Sequence, residues 1–331
     1  MTGDVNVARI SYREALNQAL FEEMRRDESV VLFGEDVAEY EGSFKVTKGL
    51  LKEFGPKRVF DTPISEAAIV GLATGAALGK LRPVPELMTV NFAYLALDQI
   101  CNHLALMRYM FGGQVTLPVT IRMPGGGGHQ LGSQHSHSLE VHFVHTPGLK
   151  VVYPATPADA KALLKAAIRD DNPVIFLEHE GLYNLQGEVP EDLEVGIIGE
   201  AKVVREGESV TVAAYGAMTH VALEAADQLE KEGIRAEVVD LRTLRPWDKR
   251  TVTDSVAKTH RAVVVEEAPP VCGVAAEIAS SIYETVFDEL DAPVERVSGA
   301  DVPLPYARNL EQACIPHAKD VAAAVHRTLS G

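Results

Sequence analysis

The chain contains 331 residues, and its 31 Lys and Arg residues against 47 Asp and Glu residues give a formal net charge of −16. This acidic balance argues against a protein that binds nucleic acid or an anionic membrane surface, because phosphate groups are bound by clustered Lys and Arg. Hydrophobic residues make up 46% of the chain and charged residues 24%, which is typical of a folded globular protein. Domains contain roughly 100–200 residues, so the length predicts two of them.

The three cysteines, Cys101, Cys272 and Cys314, are far apart and form no CxxC pair. This usage is typical of a reducing compartment and predicts neither a disulfide framework nor a zinc ribbon. The first twenty residues lack the basic start and apolar core of a signal peptide, and the least polar stretch, residues 67–79, is too short to span a bilayer. We therefore expect a cytoplasmic protein without a membrane anchor.

Short runs rich in Val and Ile recur along the chain without polar alternation, as in strands that are buried on both faces of a parallel sheet. These predicted strands are residues 30–34, 149–154, 174–179, 209–216, 236–242 and 262–268. The amphipathic segments between them predict crossover helices at residues 157–169, 219–232 and 273–287. Alternating strands and helices indicate the α/β class, with two parallel-sheet domains.

A polar, acidic segment with Gly and Pro, residues 183–199, marks the predicted domain boundary. A new series of short strand–helix units begins after it. We therefore predict an N-terminal domain over residues 1–190 and a C-terminal domain of five short strands over residues 200–331. The unusual motifs all lie in the first of these.

A run of four glycines, residues 125–128, follows an apparent strand at 119–122 but lacks the Lys-Ser/Thr of a phosphate-binding P-loop. It predicts either a flexible surface loop or part of a ligand crevice at the carboxyl edge of a sheet. The histidines that follow lack the spacing of known zinc sites, so we expect one or two to handle protons in a cleft and His142 and His145 to be structural. The five histidines are His129, His135, His137, His142 and His145.

Glu66 begins an apolar helical stretch in which Gly71, Gly75 and Gly79 recur every fourth residue. This spacing places the glycines on one helix face, where a second backbone can approach closely. One interpretation is tight internal packing, with Glu66 as a first-turn residue favoured by the helix dipole. The other is that Glu66 lies desolvated at a crowded subunit interface and has a functional role.

The spacing of Glu66, Gly71 and Gly75 is similar to that in the pyrimidine-binding domain of thiamine-diphosphate enzymes. In combination, several longer motifs resemble the beta subunit of the decarboxylating component of 2-oxo acid dehydrogenase complexes. This resemblance implies a transketolase-like pyrimidine-binding domain followed by a transketolase C-terminal-like domain. The motifs are LFGEDV (32–37), DTPISE (61–66), PELMTVNF (85–92), SQHSHSLE (133–140), PGLKVV (147–152), AIRDDNPVIFLE (167–178), VVDLRTLRPWD (238–248) and APVERVSGADVPLPYA (292–307).

The resemblance implies two catalytic residues. Glu66 matches the glutamate that hydrogen-bonds the pyrimidine ring of the cofactor, and His135 matches a histidine that assists acyl transfer to a lipoyl group. Ile64, Met88 and Phe92 match positions that pack near the pyrimidine, although plain core packing would also account for them.

No GDG sequence occurs in the chain, whereas thiamine-diphosphate enzymes hold the magnesium–diphosphate group through GDG and a later Asn-Asn. The resemblance therefore implies an alpha subunit that holds Mg²⁺ and the diphosphate in a heterotetramer of two alpha and two beta chains. It also implies binding to an acyltransferase core through the core's subunit-binding domain. A structural potassium site is implied as well, although an ordinary helix end would explain the same residues: Val119, Ala167, Ile168, Asp170 and Asn172.

The motif PELMTVNF, with Phe92, is similar to the pyruvate-type members of the family. Branched-chain 2-oxo acid and acetoin dehydrogenases remain alternatives on the same scaffold, as does a scaffolding subunit that has lost catalysis. Because GGGGHQLGSQH departs from the loop of many pyruvate-type relatives, the roles of His129 and Gln130 stay open.

Overall fold

This computed structural model describes residues 7–330. Strands and helices alternate along these residues. The strands are β1 (Val7–Ser11), β2 (Val30–Gly34), β3 (Val59–Asp61), β4 (Arg82–Glu86), β5 (Thr120–Gly125), β6 (Lys150–Val152), β7 (Val174–His179), β8 (Gln186–Pro190), β9 (Lys202–Arg205), β10 (Val210–Ala214), β11 (Ala236–Asp240), β12 (Thr243–Arg245), β13 (Ala262–Val265) and β14 (Glu295–Val297).

The α-helices are α1 (Tyr12–Arg26), α2 (Leu50–Phe54), α3 (Glu66–Leu78), α4 (Ala105–Met110), α5 (Glu140–Val144), α6 (Pro157–Arg169), α7 (Ala217–Glu230), α8 (Lys249–Thr259), α9 (Val274–Val286), α10 (Arg308–Cys314) and α11 (Ala318–Leu329). A π-helix, Asp98–Leu104, precedes α4. Short 3₁₀ helices lie at Val90–Ala96, Ser133–His135, Glu180–Leu182 and Phe287–Glu289. Among residues 7–330, no helix is long and apolar enough to cross a membrane.

The chain divides into two compact units. The first comprises residues up to 125 and residues 142–198, and the second comprises residues 126–141 and those from 199 onward. The glycine-rich segment 126–141 therefore packs with the C-terminal residues. The predicted limits 1–190 and 200–331 stay a prediction, although both units have the predicted α/β architecture.

The sheet of the first unit contains six parallel strands in the order β6-β7-β5-β4-β2-β3. Every residue of β2, β5 and β7 is buried. The apolar patterns of β2 and β7 predict this burial, whereas β5 contains Thr120 and Arg122 and was expected only as an apparent strand at 119–122. Helix α1 contacts β2, α3 contacts β4, and α6 contacts both β7 and α1. These contacts place the helices against the parallel sheet, which is the architecture expected from the sequence.

A buried polar network crosses the centre of this sheet. Arg122, on β5, donates to Glu178 on β7 through Nε and Nη2 at 2.7 and 2.8 Å, and to Glu86 on β4 at 2.5 Å. The Tyr183 hydroxyl also donates to Glu178, at 2.7 Å. Because burial disfavours the charged carboxylate, the pKa of Glu86 lies above its ordinary value despite the attraction of Arg122. The paired geometry satisfies charges that would otherwise be costly to bury.

The sheet of the second unit contains five strands in the order β14-β13-β10-β11-β9, which confirms the predicted five-stranded C-terminal sheet. Strands β10, β11, β13 and β14 are parallel, whereas β9 runs antiparallel to β11. The core lies where α7 and α11 meet the sheet, and Val212, Val263 and Val321 are within it. The antiparallel edge strand departs from the all-parallel sheet that the sequence predicts.

A second departure is the antiparallel pair of β1 and β8, in which Val7 lies opposite Pro190 and Ser11 opposite Gln186. This pairing places the N-terminal end of α1 beside β8, the last strand of the first unit. Ser11 caps α1 by accepting a hydrogen bond from the Glu14 amide, and the Glu14 side chain accepts one from the Ser11 amide.

Candidate functional site

The carboxyl ends of β2, β3 and β4 meet at one edge of the first sheet. Gly34 lies opposite Asp61 on one side and Glu86 on the other. The Thr62 amide donates to the Gly34 carbonyl at 2.8 Å, which fixes the exit of the chain from β3. Because ligands of parallel α/β sheets bind beyond the carboxyl ends of the strands, this edge is the candidate site of the first unit.

Two acidic residues follow these strand ends. Glu35 comes directly after β2, and Glu66 is the first residue of α3, after β3. Both are buried, at 6% and 3% exposure. Desolvation raises the pKa of Glu35 above its ordinary value, and the negative charges of Glu66 and Asp36 raise it further. The two carboxyl groups therefore lie close enough to influence each other.

The Glu35 carboxyl group is incompletely satisfied, since among residues 7–330 its Oε1 atom has no hydrogen-bond partner. Buried polar atoms are nearly always hydrogen-bonded, because burial without a partner costs free energy. An unpaired acceptor beside a second buried carboxyl group therefore indicates a place for a ligand that carries donors. Glu35 belongs to the motif LFGEDV, but no role was predicted for it; its signal in the sequence is an acidic residue directly after a buried strand.

The apolar candidates lie on elements that neighbour Glu66. Met88 follows β4, and Phe92 lies in the 3₁₀ helix Val90–Ala96, which contacts α3. Both side chains are half-buried. Ile64, two residues before α3, is 81% exposed. Two buried acids with half-buried apolar neighbours suit a flat heteroaromatic ring that has polar nitrogens.

The glycine face of α3 is open along part of its length. A Cβ atom at Gly75 would have no neighbour within 4 Å, and one at Gly71 would lie 3.3 Å from Gln99 Oε1. Leu72 and Leu78 on the same helix are also exposed. The described residues of the first unit, which begin at residue 7, do not provide the predicted second backbone against this face.

The histidines of the glycine-rich stretch do not form one cluster. His135 ends the 3₁₀ helix Ser133–His135 in the second unit, and it and His129 are exposed. His142 belongs to the first unit, where its Nε2 lies 3.2 Å from the Tyr94 hydroxyl. Burial lowers the pKa of His142. In the described part of the chain, no group of three or more His, Cys, Asp or Glu side chains could hold a metal ion.

Four residues of the predicted potassium site lie at or just beyond the end of α6, whereas Val119 directly precedes β5. Cationic side chains already contact Ile168, Asp170 and Asn172. Arg82 Nη1 donates to the carbonyl oxygens of Ile168 and Asp170, at 3.1 Å each. Arg108 donates to Asn172 Oδ1 at 2.8 Å, and Lys150 pairs with the Asp170 carboxylate. The remaining two carbonyls accept backbone hydrogen bonds, from Val174 to Val119 and from Asp170 to Ala167.

Another buried acid, for which no role was predicted, lies in the second unit. Glu140 is 1% exposed, and its Oε1 accepts a hydrogen bond from the Tyr215 hydroxyl at 2.8 Å. That hydroxyl lies 3.4 Å from Glu266, which also accepts from Ser298. Desolvation, with the nearby charges of Glu266 and Glu267, raises the pKa of Glu140 to about 7. The local sequence around Glu140 does not predict its burial or its raised pKa, because Tyr215 and Glu266 lie in distant segments of the chain.

Comparison with known proteins links both units to one family. Residues 8–186 match the family described as "Transketolase, pyrimidine binding domain", and residues 199–321 match "Transketolase, C-terminal domain". The chain is 51% identical over 318 residues to the pyruvate dehydrogenase E1 component subunit beta of Rickettsia felis, a match that covers 96% of this chain and 98% of that protein. It is 49% identical over 326 residues to the mitochondrial subunit beta of Caenorhabditis elegans, with 97% and 93% covered.

Solved structures have the same fold. A split-gene transketolase in the form of an inactive beta4 tetramer is 28% identical, with a TM-score of 0.80, and the match covers 97% of this chain and 99% of that one. A transketolase from Pichia stipitis matches 98% of this chain with 46% of its own length, at a TM-score of 0.70 and 16% identity. The predicted transketolase-like fold of both domains is confirmed.

The raised pKa of Glu140 predicts a pH-dependent stability. Between about pH 4.5 and pH 7 the folded chain keeps a proton on Glu140 that the unfolded chain releases, so this group lowers the free energy of unfolding as pH rises. Glu140→Gln is neutral at every pH and keeps an acceptor for Tyr215. We expect the free energy of unfolding of the variant, relative to that of the wild type, to increase by about 3 kcal/mol from pH 4.5 to pH 8. Urea unfolding at each pH measures this difference.

The matched control is Glu277→Gln, which changes an exposed glutamate in α9. Its stability difference from the wild type should not vary over the same pH range. A Glu140→Gln difference that stayed constant from pH 4.5 to pH 8 would contradict the assignment.

Proposed function

The chain belongs to the family of pyruvate dehydrogenase E1 component beta subunits, and we propose that it is the beta subunit of an enzyme that oxidatively decarboxylates pyruvate and transfers the acetyl group to a lipoyl group. The observation that carries this proposal is the pair of buried carboxyl groups, Glu35 and Glu66, at the edge of the pyrimidine-binding unit. A scaffolding subunit without catalysis would have no need to bury these acids. The cytoplasmic location expected from the sequence stays a prediction.

Family membership makes this a subunit of a thiamine-diphosphate-dependent enzyme. When bound, thiamine diphosphate supplies the carbon nucleophile and the electron sink that decarboxylation of a 2-oxo acid requires. We propose that the Glu66 carboxyl group hydrogen-bonds a ring nitrogen of the aminopyrimidine. Met88 and Phe92 would pack against the same ring. Ile64 is proposed to contact it from the exposed side of the site.

The diphosphate end of the cofactor is proposed to bind to an alpha subunit, together with Mg²⁺. Two observations support this division: the chain lacks GDG, and the split-gene transketolase with which it shares its fold is inactive as a beta4 tetramer. The proposed assembly contains two alpha and two beta chains. A mass of the purified complex other than that of such a heterotetramer would contradict it.

His135 is proposed to act in the second half of the reaction, in which the acetyl group passes to the lipoyl sulfur. Its side chain is exposed, so it is accessible to a lipoyl arm that arrives from outside. An imidazole is suited to this step because it can give or take a proton near neutral pH. Loss of His135 should therefore affect acetyl transfer more than decarboxylation.

The acyltransferase core is proposed to dock on the second unit. Exposed apolar side chains there, including Val271 and Phe287, would be covered by a partner, and the acidic residues Asp288 and Glu289 adjoin Phe287. A basic subunit-binding domain would complement this charge. Unchanged core binding after Phe287→Ala combined with Asp288→Lys would contradict the docking position.

We also propose that the assembled enzyme binds potassium at the end of α6. Each carbonyl oxygen has two lone pairs, so the oxygens of Ile168 and Asp170 could accept an ion beside Arg82. The positive charges of Arg82 and Lys150 oppose such binding, whereas the Asp170 carboxylate favours it. Equal melting temperatures of the complex in potassium chloride and in sodium chloride would contradict the proposal.

Reconstitution with the alpha subunit tests the proposed reaction. Both 2-oxo acids are measured on the same complex, so their kcat/KM values can be compared directly. We expect kcat/KM for decarboxylation to be at least about tenfold higher for pyruvate than for 3-methyl-2-oxobutanoate. Acetoin is the third substrate to compare. A preference for 3-methyl-2-oxobutanoate or for acetoin would replace the pyruvate assignment with the corresponding alternative.

Substitution of Glu66 tests the catalytic carboxyl group. In Glu66→Gln the shape is kept but the carboxyl group is lost, so decarboxylation in the assembled complex should fall by roughly a hundred- to a thousandfold, equivalent to about 3–4 kcal/mol. Folding and assembly should be retained, as measured by circular dichroism and sedimentation.

The control for this substitution is Glu277→Gln, which removes an exposed first-turn glutamate from α9. It should leave the rate unchanged. If the assembled Glu66→Gln complex kept the wild-type rate, Glu66 would be only a first-turn residue of α3.

A further inference from the structure

The segment that carries His135 is a closed loop of the second unit. Its ends are joined by a hydrogen bond from the Gly126 amide to the His137 carbonyl, at 3.3 Å. Within the loop, the His135 amide donates to the Gly132 carbonyl at 3.2 Å. We call residues 126–138 the histidine loop. Its many glycines give its backbone little stiffness of its own, so contacts with the rest of the unit must hold it.

One anchor is Glu267, which follows β13. Its Oε1 accepts hydrogen bonds from the Gly127 amide at 2.8 Å and from the Ser138 hydroxyl at 3.1 Å. These two donors lie at opposite ends of the histidine loop. A single carboxylate therefore ties both ends of the loop to the C-terminal sheet.

A second anchor is Glu311, a fully buried residue of α10. Its Oε1 accepts hydrogen bonds from the Gly128 amide at 3.1 Å and from the Gln130 amide at 3.0 Å. Gln130 has a φ of 58°, a conformation that non-glycine residues rarely adopt. Charge-assisted hydrogen bonds to a buried carboxylate are stronger than neutral ones, so Glu311 can maintain this unusual turn.

Close packing reinforces both anchors. A Cβ atom at Gly127 would lie 2.8 Å from Leu304 Cδ1 and 2.9 Å from Ile315 Cδ1, nearer than such atoms can approach. The backbone of the loop is therefore pressed against the C-terminal residues at this point. The glycine at 127 permits the contact through which Glu267 and Glu311 reach the loop amides.

We propose that Glu267 and Glu311 are positioning residues, which hold the histidine loop so that His135 faces the lipoyl group during acetyl transfer. The proposal rests on the proposed function, because it assigns His135 to that step. Neither glutamate is proposed to touch substrate or cofactor. Side chains that orient a reacting group control its rate through geometry, and small displacements of such a group lower the rate strongly.

The test uses the complex reconstituted with its alpha subunit and compares Glu311→Ala, Glu311→Gln and Glu267→Ala. Two rates are measured: decarboxylation of pyruvate with an artificial electron acceptor, and acetylation of a free lipoyl domain. We expect Glu311→Ala and Glu267→Ala to lower lipoyl acetylation by roughly ten- to a hundredfold and decarboxylation by less than about threefold. Glu311→Gln keeps an acceptor oxygen, so its acetylation rate should lie between those of Glu311→Ala and the wild type.

A second readout does not depend on activity. Hydrogen–deuterium exchange of peptides within residues 126–138 should accelerate at least about tenfold in the two alanine variants, because the loop amides lose their acceptors. The control is Glu284→Ala, which changes an exposed glutamate of α9 and should alter neither exchange nor rates. Melting temperatures of all variants show whether the unit stays folded.

Each outcome decides the proposal. Acetylation within twofold of the wild type, unchanged loop exchange, or parallel loss of both rates with a fall in melting temperature would overturn it. If His135→Ala itself acetylates normally, or the wild-type complex does not act on pyruvate, the proposed function fails. The exchange comparison would then still report whether the two carboxylates hold the loop.

Discussion

Burial of the Glu66 carboxyl group is the constraint on which the site of the first unit depends. A glutamate in the first turn of a helix normally faces water, where the helix dipole favours its charge. Here β2, β3 and β4 end at one edge and α3 packs against β4, so the carboxyl group is 3% exposed. A buried carboxyl group needs donors, and a ligand that supplies them at this edge both binds there and gives the acid its chemical use.

Two other buried acids, Glu178 and Glu311, differ from Glu35 in having their donors in place. Glu178 accepts from Arg122 and Tyr183, and Glu311 accepts from two backbone amides. These carboxylates stabilise the sheet and the histidine loop, respectively. Glu35 retains an Oε1 atom without a partner among the described residues. Glu178 and Glu311 are therefore satisfied within the fold, whereas Glu35 keeps an acceptor that a ligand could use.

The sequence predicted best those elements whose signal is local. Strand β2 and helix α6 have the bounds expected from their apolar patterns, and α6 begins with the Thr156 cap and Pro157 that mark a helix start. The pair of β1 and β8 was not predicted, because their partners are more than 170 residues apart and their short patterns are half-exposed. Separations of 75 to 183 residues likewise hid the Tyr215 partner of Glu140 and the anchors of the histidine loop, which no local pattern encodes.

We propose that this chain binds only the pyrimidine half of thiamine diphosphate and needs an alpha subunit to hold the diphosphate and Mg²⁺. Calorimetric titration of thiamine diphosphate with Mg²⁺ into this chain, into the alpha subunit and into an equimolar mixture tests it directly. We expect one tight site per alpha–beta pair in the mixture and none in this chain by itself, because this chain has no GDG motif to hold the diphosphate. Micromolar binding to this chain in the absence of the alpha subunit would contradict it.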